Sequence, residues 1–201
     1  MKRFRASTGS FFIILALISP LLTLLSPSDT LCWGADDMPS ATVRHIAQSM
    51  EAEGIKANGG NIILAVQTVL KESLRYGVDY RLILAIMKTE SNYRQNVISP
   101  DGARGFMQIQ PILAGEIAKE IGIPYSGLKD LCDPQMNIRM GIYYISKLMD
   151  LFNDLPTALF AYNAGHNKAK KLVAEDKDPN TTYTKRVIAE YIKNKKNMVS
   201  L

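Results

Sequence analysis

After its first forty residues the chain offers apolar residues at helical spacing and almost nothing at strand spacing. Ile62, Ile63, Val66, Val69 and Leu70 recur at three- and four-residue intervals, the signature of an amphipathic helix. Segments of this kind follow one another to the C-terminus, each bounded by a start or stop signal. Helices are expected over 41–50, 62–75, about 80–91, 111–121, 135–152, 155–164, 167–174 and about 182–196. Gly77, Gly122 and Gly165 stand at their ends, and Asp79 and Asp133-Pro134 at their starts. Polar, glycine-containing stretches at 53–60 and 92–105 read as loops. No run of alternating apolar and polar residues is long enough for a sheet. The fold class is therefore all-α, or α with a minimal β element. Hydrophobic residues make up 47% of the 201 residues and charged ones 21%, enough to bury a core.

The first residues have the layout of an export leader. Lys2, Arg3 and Arg5 precede an apolar run from Phe11 to Leu25, short for a membrane span and right for a signal peptide. Cleavage after Gly34 is expected, with an uncleaved anchor as the alternative and no lipid anchor at Cys32. The chain then divides into a leader, 1–34, a helical extension, 35–75, and a catalytic domain, 76–201. If Cys32 leaves with the leader, Cys132 is a lone thiol; if it stays, a Cys32–Cys132 bridge is possible. The formal net charge is +5. The surplus lies late, where residues 166–201 hold nine Lys or Arg against four Asp or Glu. A Lys-rich solvated helix accounts for it; attraction to an anionic polymer or membrane surface is the other reading.

One residue breaks the helical pattern. At 100° per residue, Glu90 falls roughly 80° from Leu82, between Ile86 and Ile83 on the apolar face, while Arg81 and Lys88 lie opposite. Burial disfavours a carboxylate and raises its pKa. A carboxyl group still protonated near neutral pH can donate a proton to a leaving group. On phase alone, a Glu reaching solvent past the last helical turn explains the position equally well.

The neighbouring text decides between them. Glu90-Ser91-Asn92-Tyr93, followed by Ser99-Pro100-Asp101-Gly102-Ala103-Arg104-Gly105-Phe106-Met107-Gln108, resembles the catalytic segment of the soluble lytic transglycosylases. These share a lysozyme-like domain with goose-type lysozymes. Asp133-Pro134-x-x-Asn137-Ile138-x-x-Gly141, Ala161-Tyr162-Asn163-Ala164-Gly165 and Tyr183 with Val187 resemble three further blocks of that family, in order. Phe106 replaces the family's Leu, and His166 stands where Pro is common. The resemblance runs from about 76 to 191.

The resemblance implies a lysozyme-like helical domain with a glycan cleft, cleaving between N-acetylmuramic acid and N-acetylglucosamine in peptidoglycan. Glu90 is the implied acid and then base, and the product is a 1,6-anhydro sugar. Ser99 and Gln108 are implied to flank the glycan, Met107 to form groove wall or core, and Tyr162, Asn163 and Tyr183 to line the cleft. A tyrosine hydroxyl near Glu90 would orient its carboxyl. Glycoside cleavage usually uses two carboxylates; Asp101 and Asp130, Asp133, Asp150 and Asp154 read as turn or cap residues, which fits a mechanism with one. A lysozyme-type hydrolase, an inactive peptidoglycan-binding scaffold and a merely structural helical protein are the alternatives. His45 and His166 lack companions at metal-ligand spacing, no phosphate-cradling loop is present, and the Lys-rich end lacks interleaved aromatics. No metal, cofactor or nucleic acid is therefore expected. Peptidoglycan strands are the expected partner, in the periplasm or cell envelope, with membrane contact only through an uncleaved leader. The length fits a local role, such as opening the wall for a cell-envelope assembly machine.

Overall fold

A computed structural model describes residues 40–52 and 59–198. The expected leader, Cys32 and its alternative bridge to Cys132 lie outside these residues. Among the described residues eight α-helices follow one another: α1 (Ser40–Ala52), α2 (Gly59–Tyr76), α3 (Tyr80–Ser91), α4 (Pro111–Ile121), α5 (Pro134–Phe152), α6 (Leu155–Ala164), α7 (His166–Ala174) and α8 (Thr182–Asn197). A 3-10 turn, Asp130–Cys132, precedes α5 and was not among the expected elements. Among the described residues no helix is long and apolar enough to cross a membrane.

The boundaries follow from capping chemistry. The Asp79 side chain accepts the Arg81 N–H, Asp133 that of Met136 and Asp154 that of Thr157, each satisfying a donor the helix itself leaves open. Asn92, Gly122 and Asn153 end α3, α4 and α5 in the left-handed region, which Gly and Asn tolerate best.

α3 is buried along most of its length. It lies along α8 and against α2, while α2 lies along α5 and α5 along α6. Leu82, Ile83, Leu84, Ala85, Ile86 and Met87 are all buried. The helix is thus enclosed on nearly every side, a correction to the single apolar stripe expected for it. Each of the large side chains contributes roughly 1.5–3 kcal/mol by burial. α1 and α2 bury Ile46, Met50, Ile62, Val66, Val69 and Leu70 in the same core. No break in packing falls at residue 75, where the sequence reading ended its extension.

The loop from α3 to α4 contains the minimal β element. Ile98 pairs with Arg104 and Arg104 with Ile109 as isolated antiparallel bridges. Gly105 needs to be glycine: its φ is +79°, and a Cβ there would lie 2.5 Å from the Asn137 side chain.

Candidate active site

Glu90 is the next-to-last residue of α3. From α8, the Tyr183 hydroxyl donates to its Oε1 at 2.6 Å. Among the described residues Oε2 has no hydrogen-bond partner. Burial pushes the carboxyl up to about 7, against the lowering effects of the Tyr183 hydrogen bond and the Arg186 charge. A group poised near neutral pH, with one oxygen fixed and the other open, suits proton donation and then proton acceptance.

Glu90 forms part of the wall of a groove of about 560 Å³. Ser99, Gln108, Tyr162 and Asn163 line it with Glu90, and so do Ile109, Ile112, Leu113 and Tyr144. Four of the seven expected site residues thus share one surface with the expected acid. The remaining two stand behind it. Tyr183 is not on the groove surface; it backs Glu90 and holds its carboxyl. Met107 is 0% exposed, so of its two expected places, groove wall or core, it takes the core and does not line the groove. Its side chain lies so close to Gly141 that a Cβ added there would come within 2.6 Å.

The two tyrosines divide their duties. Tyr162 does not hydrogen-bond Glu90; its hydroxyl donates to the Met107 carbonyl at 2.9 Å. Burial, followed by the nearby Glu90 charge, raises its pKa well above the ordinary value, and Tyr183 is raised for the same leading causes. Both therefore remain neutral donors across the physiological range. Gln108 is also partly committed. Its φ is +49°, and its Nε2 donates to the carbonyls of Val97 and Gly105. It faces the groove while holding its own loop closed. The Ser99 Oγ accepts the Ala103 N–H at 3.0 Å, leaving its hydroxyl proton to donate elsewhere.

Asn137 belongs to the motif from Asp133 to Gly141, but the motif alone assigns it no role. It is 1% exposed. Its Oδ1 accepts the Met107 N–H at 2.8 Å, and its Nδ2 donates to the carbonyls of Arg104 and Leu131. It ties the loop after α3 to α5 at the point where Gln108 leaves for the groove. A polar residue amid the apolar positions of α5 is the signal that could have found it. Ser91 adds a second tie, with its hydroxyl 2.9 Å from the Phe106 carbonyl. Asp101 and Glu116 also border the groove, and both are exposed. Among the described residues no three His, Cys, Asp or Glu side chains converge as a metal site.

This arrangement agrees with what the chain resembles. Residues 67–184 match the model of the family described as "Transglycosylase SLT domain". The "Transglycosylase" of Enterobacteria phage PRD1 is 32% identical over 103 residues, covering 51% of this chain and 36% of that one. "Membrane-bound lytic murein transglycosylase C" of Haemophilus influenzae (strain PittEE) is 31% identical over 149 residues, covering 68% and 40%. The chain therefore spans between about a third and two fifths of the length of these relatives. Among solved structures, an inactive mutant of lytic transglycosylase Slt from Pseudomonas aeruginosa superposes with a TM-score of 0.60 at 23% identity, over 78% of this chain and 30% of that one. The 70 kDa soluble lytic transglycosylase of Escherichia coli gives 0.57, at the same identity and coverage. These two likenesses establish the lysozyme-like transglycosylase fold. The family match covers more than half of the sequence and includes Glu90 together with the groove around it: the chain belongs to the transglycosylase SLT domain family.

Proposed function

We propose that this chain is a peptidoglycan lytic transglycosylase, cleaving the β-1,4 bond between N-acetylmuramic acid and N-acetylglucosamine. The observation that carries the reading is the state of Glu90: a carboxyl group raised to about 7, fixed through Oε1 by Tyr183, at the wall of a groove. Neutral Glu90 gives its proton to the bridging oxygen as the bond from that oxygen to the anomeric carbon breaks. The substrate's 2-acetamido group stabilises the positive charge left on that carbon. Ionised Glu90 then takes the proton of the same sugar's 6-hydroxyl, whose oxygen closes onto the anomeric carbon. The proton balance returns to its start, no water is consumed, and a 1,6-anhydro sugar results.

Hydrolysis is the second reading. It is favoured by Asp101 and Glu116 on the groove wall, where either could activate water. Their exposure argues for the first reading, because a water-activating base works best shielded and oriented. The test is mass analysis of soluble products from purified peptidoglycan. Anhydro-muropeptides from the wild type, absent with Glu90→Gln, support the proposal. Reducing-end products, heavier by one water, would replace it with the hydrolase.

The proposal includes action in the cell envelope, with residues 1–34 as export leader and the catalytic unit beginning at α1. A cell-envelope assembly machine as partner belongs to it too. Affinity capture that recovers only wall fragments would remove that last element.

A further inference from the structure

Leu113, Glu116, Tyr144 and His166 border the groove around Glu90 and also a second hollow of about 250 Å³. The two spaces meet along that shared rim, so a branch on a sugar lying in the groove has a direct way into the hollow. Helical spacing builds it. Leu113, Ile117 and Glu120 recur at three- and four-residue steps on one face of α4, as do Tyr144, Leu148 and Leu151 on α5. His166 and Lys170, four apart on α7, close the side. Ile117 and Leu148 are buried and make an apolar floor, while Leu151 is 47% exposed.

The charges of the hollow are of two kinds. Glu120 is committed: it accepts the Lys147 Nζ at 2.6 and 2.8 Å and the Tyr143 hydroxyl at 2.8 Å, so Lys147 and Glu120 neutralise each other. Glu116 and Lys170 are both exposed, and among the described residues neither has an ion-pair or hydrogen-bond partner. Tyr144 is only 7% exposed, and its hydroxyl likewise has no partner among the described residues. Burial, and after it the Glu116 charge, raises the Tyr144 pKa, so Glu116 lies close to the rim that Tyr144 forms.

An apolar floor between one open anion and one open cation is a poor match for a neutral sugar. Its hydroxyls would lose water against Ile117 and Leu148 and gain no partner. Methylene groups bury there favourably, and a chain end that carries both an ammonium and a carboxylate meets an opposite charge at each. In peptidoglycan that chemistry belongs to the peptide stem, at the free amino end of its diamino acid and the carboxylate beside it.

We propose that the hollow between α4, α5 and α7 is a side pocket for the dipolar end of a peptide stem, with Glu116 holding the ammonium and Lys170 the carboxylate. The inference rests on the reading of the chain as a peptidoglycan-cleaving enzyme. It carries a selectivity. A stem whose amino end is tied up in a cross-link offers an uncharged amide to Glu116, so strands with free stems are the preferred substrate.

The experiment uses the full chain and three strand preparations: intact with free stems, acetylated at the stem amine, and capped at the stem carboxylates as methylamides. Each modification is expected to raise the wild-type KM roughly 3- to 5-fold at low salt, with kcat changed much less. The variants sort the two charges. In Glu116→Gln acetylation adds little while capping still raises KM; in Lys170→Gln capping adds little while acetylation still raises it. Equal KM for intact and modified strands, sensitivity to only one modification, or full additivity of each modification with its matching variant overturns the pocket. Equilibrium binding to Glu90→Gln protein separates the two proposals. If no anhydro products form yet intact strands bind more tightly than either modified kind, the reaction fails and the pocket stands. If the products form and all three strands bind equally, the pocket fails alone.

Discussion

The two ends of α3 carry the same pair of groups and put them to opposite uses. At its start, Asp79 accepts the Tyr191 hydroxyl from α8 at 2.9 Å. At its end, Glu90 accepts the Tyr183 hydroxyl from α8 at 2.6 Å. The difference is arginine. Arg81 grips Asp79 with its Nε, a terminal nitrogen and its backbone N–H, at 2.7–3.2 Å. Burial pushes Asp79 up, but the Arg81 and Tyr191 hydrogen bonds and the Arg81 charge outweigh it, and its pKa ends below the ordinary value. Glu90 has only Tyr183 and the more distant field of Arg186, so burial prevails and the group rises to about 7. A tyrosine hydrogen bond alone does not decide whether a carboxylate is a fastener or an acid. The partner charge and the depth of burial decide it.

Glu90→Gln widens the contrast most. Gln keeps an acceptor for Tyr183 but has no proton to give, so product formation should fall by about 10³-fold or more. Stability should move the other way. Because folding raises the pKa of Glu90, the folded state binds more protons than the unfolded one between the ordinary value of 4.5 and about 7. Ionisation therefore costs stability as pH rises through that window. The variant should be more stable than wild type at pH 8, by up to about 3 kcal/mol, and nearly equal to it at pH 4. Denaturant melts at both values test this; equal stability at pH 8 would mean that Glu90 is not held against its ionisation.

Asp79→Asn tests the other end. It keeps a capping oxygen but leaves Arg81, which is 12% exposed at its side chain, without its countercharge. A loss of about 2 kcal/mol at pH 7 is expected, with activity per folded molecule within about twofold of wild type. The depressed pKa sets the sign of the pH dependence. Asp79 contributes stability above its unfolded value, and the contribution is lost as pH falls through its lower folded value. The difference between wild type and variant should therefore shrink as pH falls below the ordinary value of 3.8. A large loss of activity in folded protein would show that the two ends are coupled.

The difference between the ends was only partly legible in the sequence. Asp79 announced itself as a cap because a short polar residue stood directly before an apolar run, and the same local grammar placed Asp133-Pro134 and Gly122. Glu90 announced itself because helical phase put a charge among Ile83 and Ile86. Capping and phase are local, and local patterns survive in a single sequence. The identity of the orienting tyrosine did not survive. Local sequence suggests Tyr162 for that role and Tyr183 as a second cleft tyrosine; the reverse assignment depends on how α8 lies along α3, across 93 positions of chain. Met107 was open between wall and core for the same reason: its burial is set by Gly141 on α5. Asn137 and Arg186 acquire roles only from what the fold brings beside them.

The smallest effects come from the tyrosines, and they offer the finest comparison because the chemical change is identical. Tyr191→Phe removes a donor from a carboxylate that still has Arg81. It should cost about 1 kcal/mol of stability and leave the pH–rate profile where it was. Tyr183→Phe removes the one hydroxyl that holds Glu90. That hydrogen bond lowers the Glu90 pKa, so without it the acid stays protonated further up the pH scale. The basic limb of kcat/KM should move upward from about 7, even as the rate at its maximum falls roughly 10-fold because the carboxyl is no longer aimed. A slower enzyme with an unshifted limb would mean that Tyr183 only packs behind the acid. A shifted limb with an undiminished rate would mean that the groove itself orients Glu90. Only the two changes together make Tyr183 the counterpart, at the working end of α3, of what Arg81 is at the other.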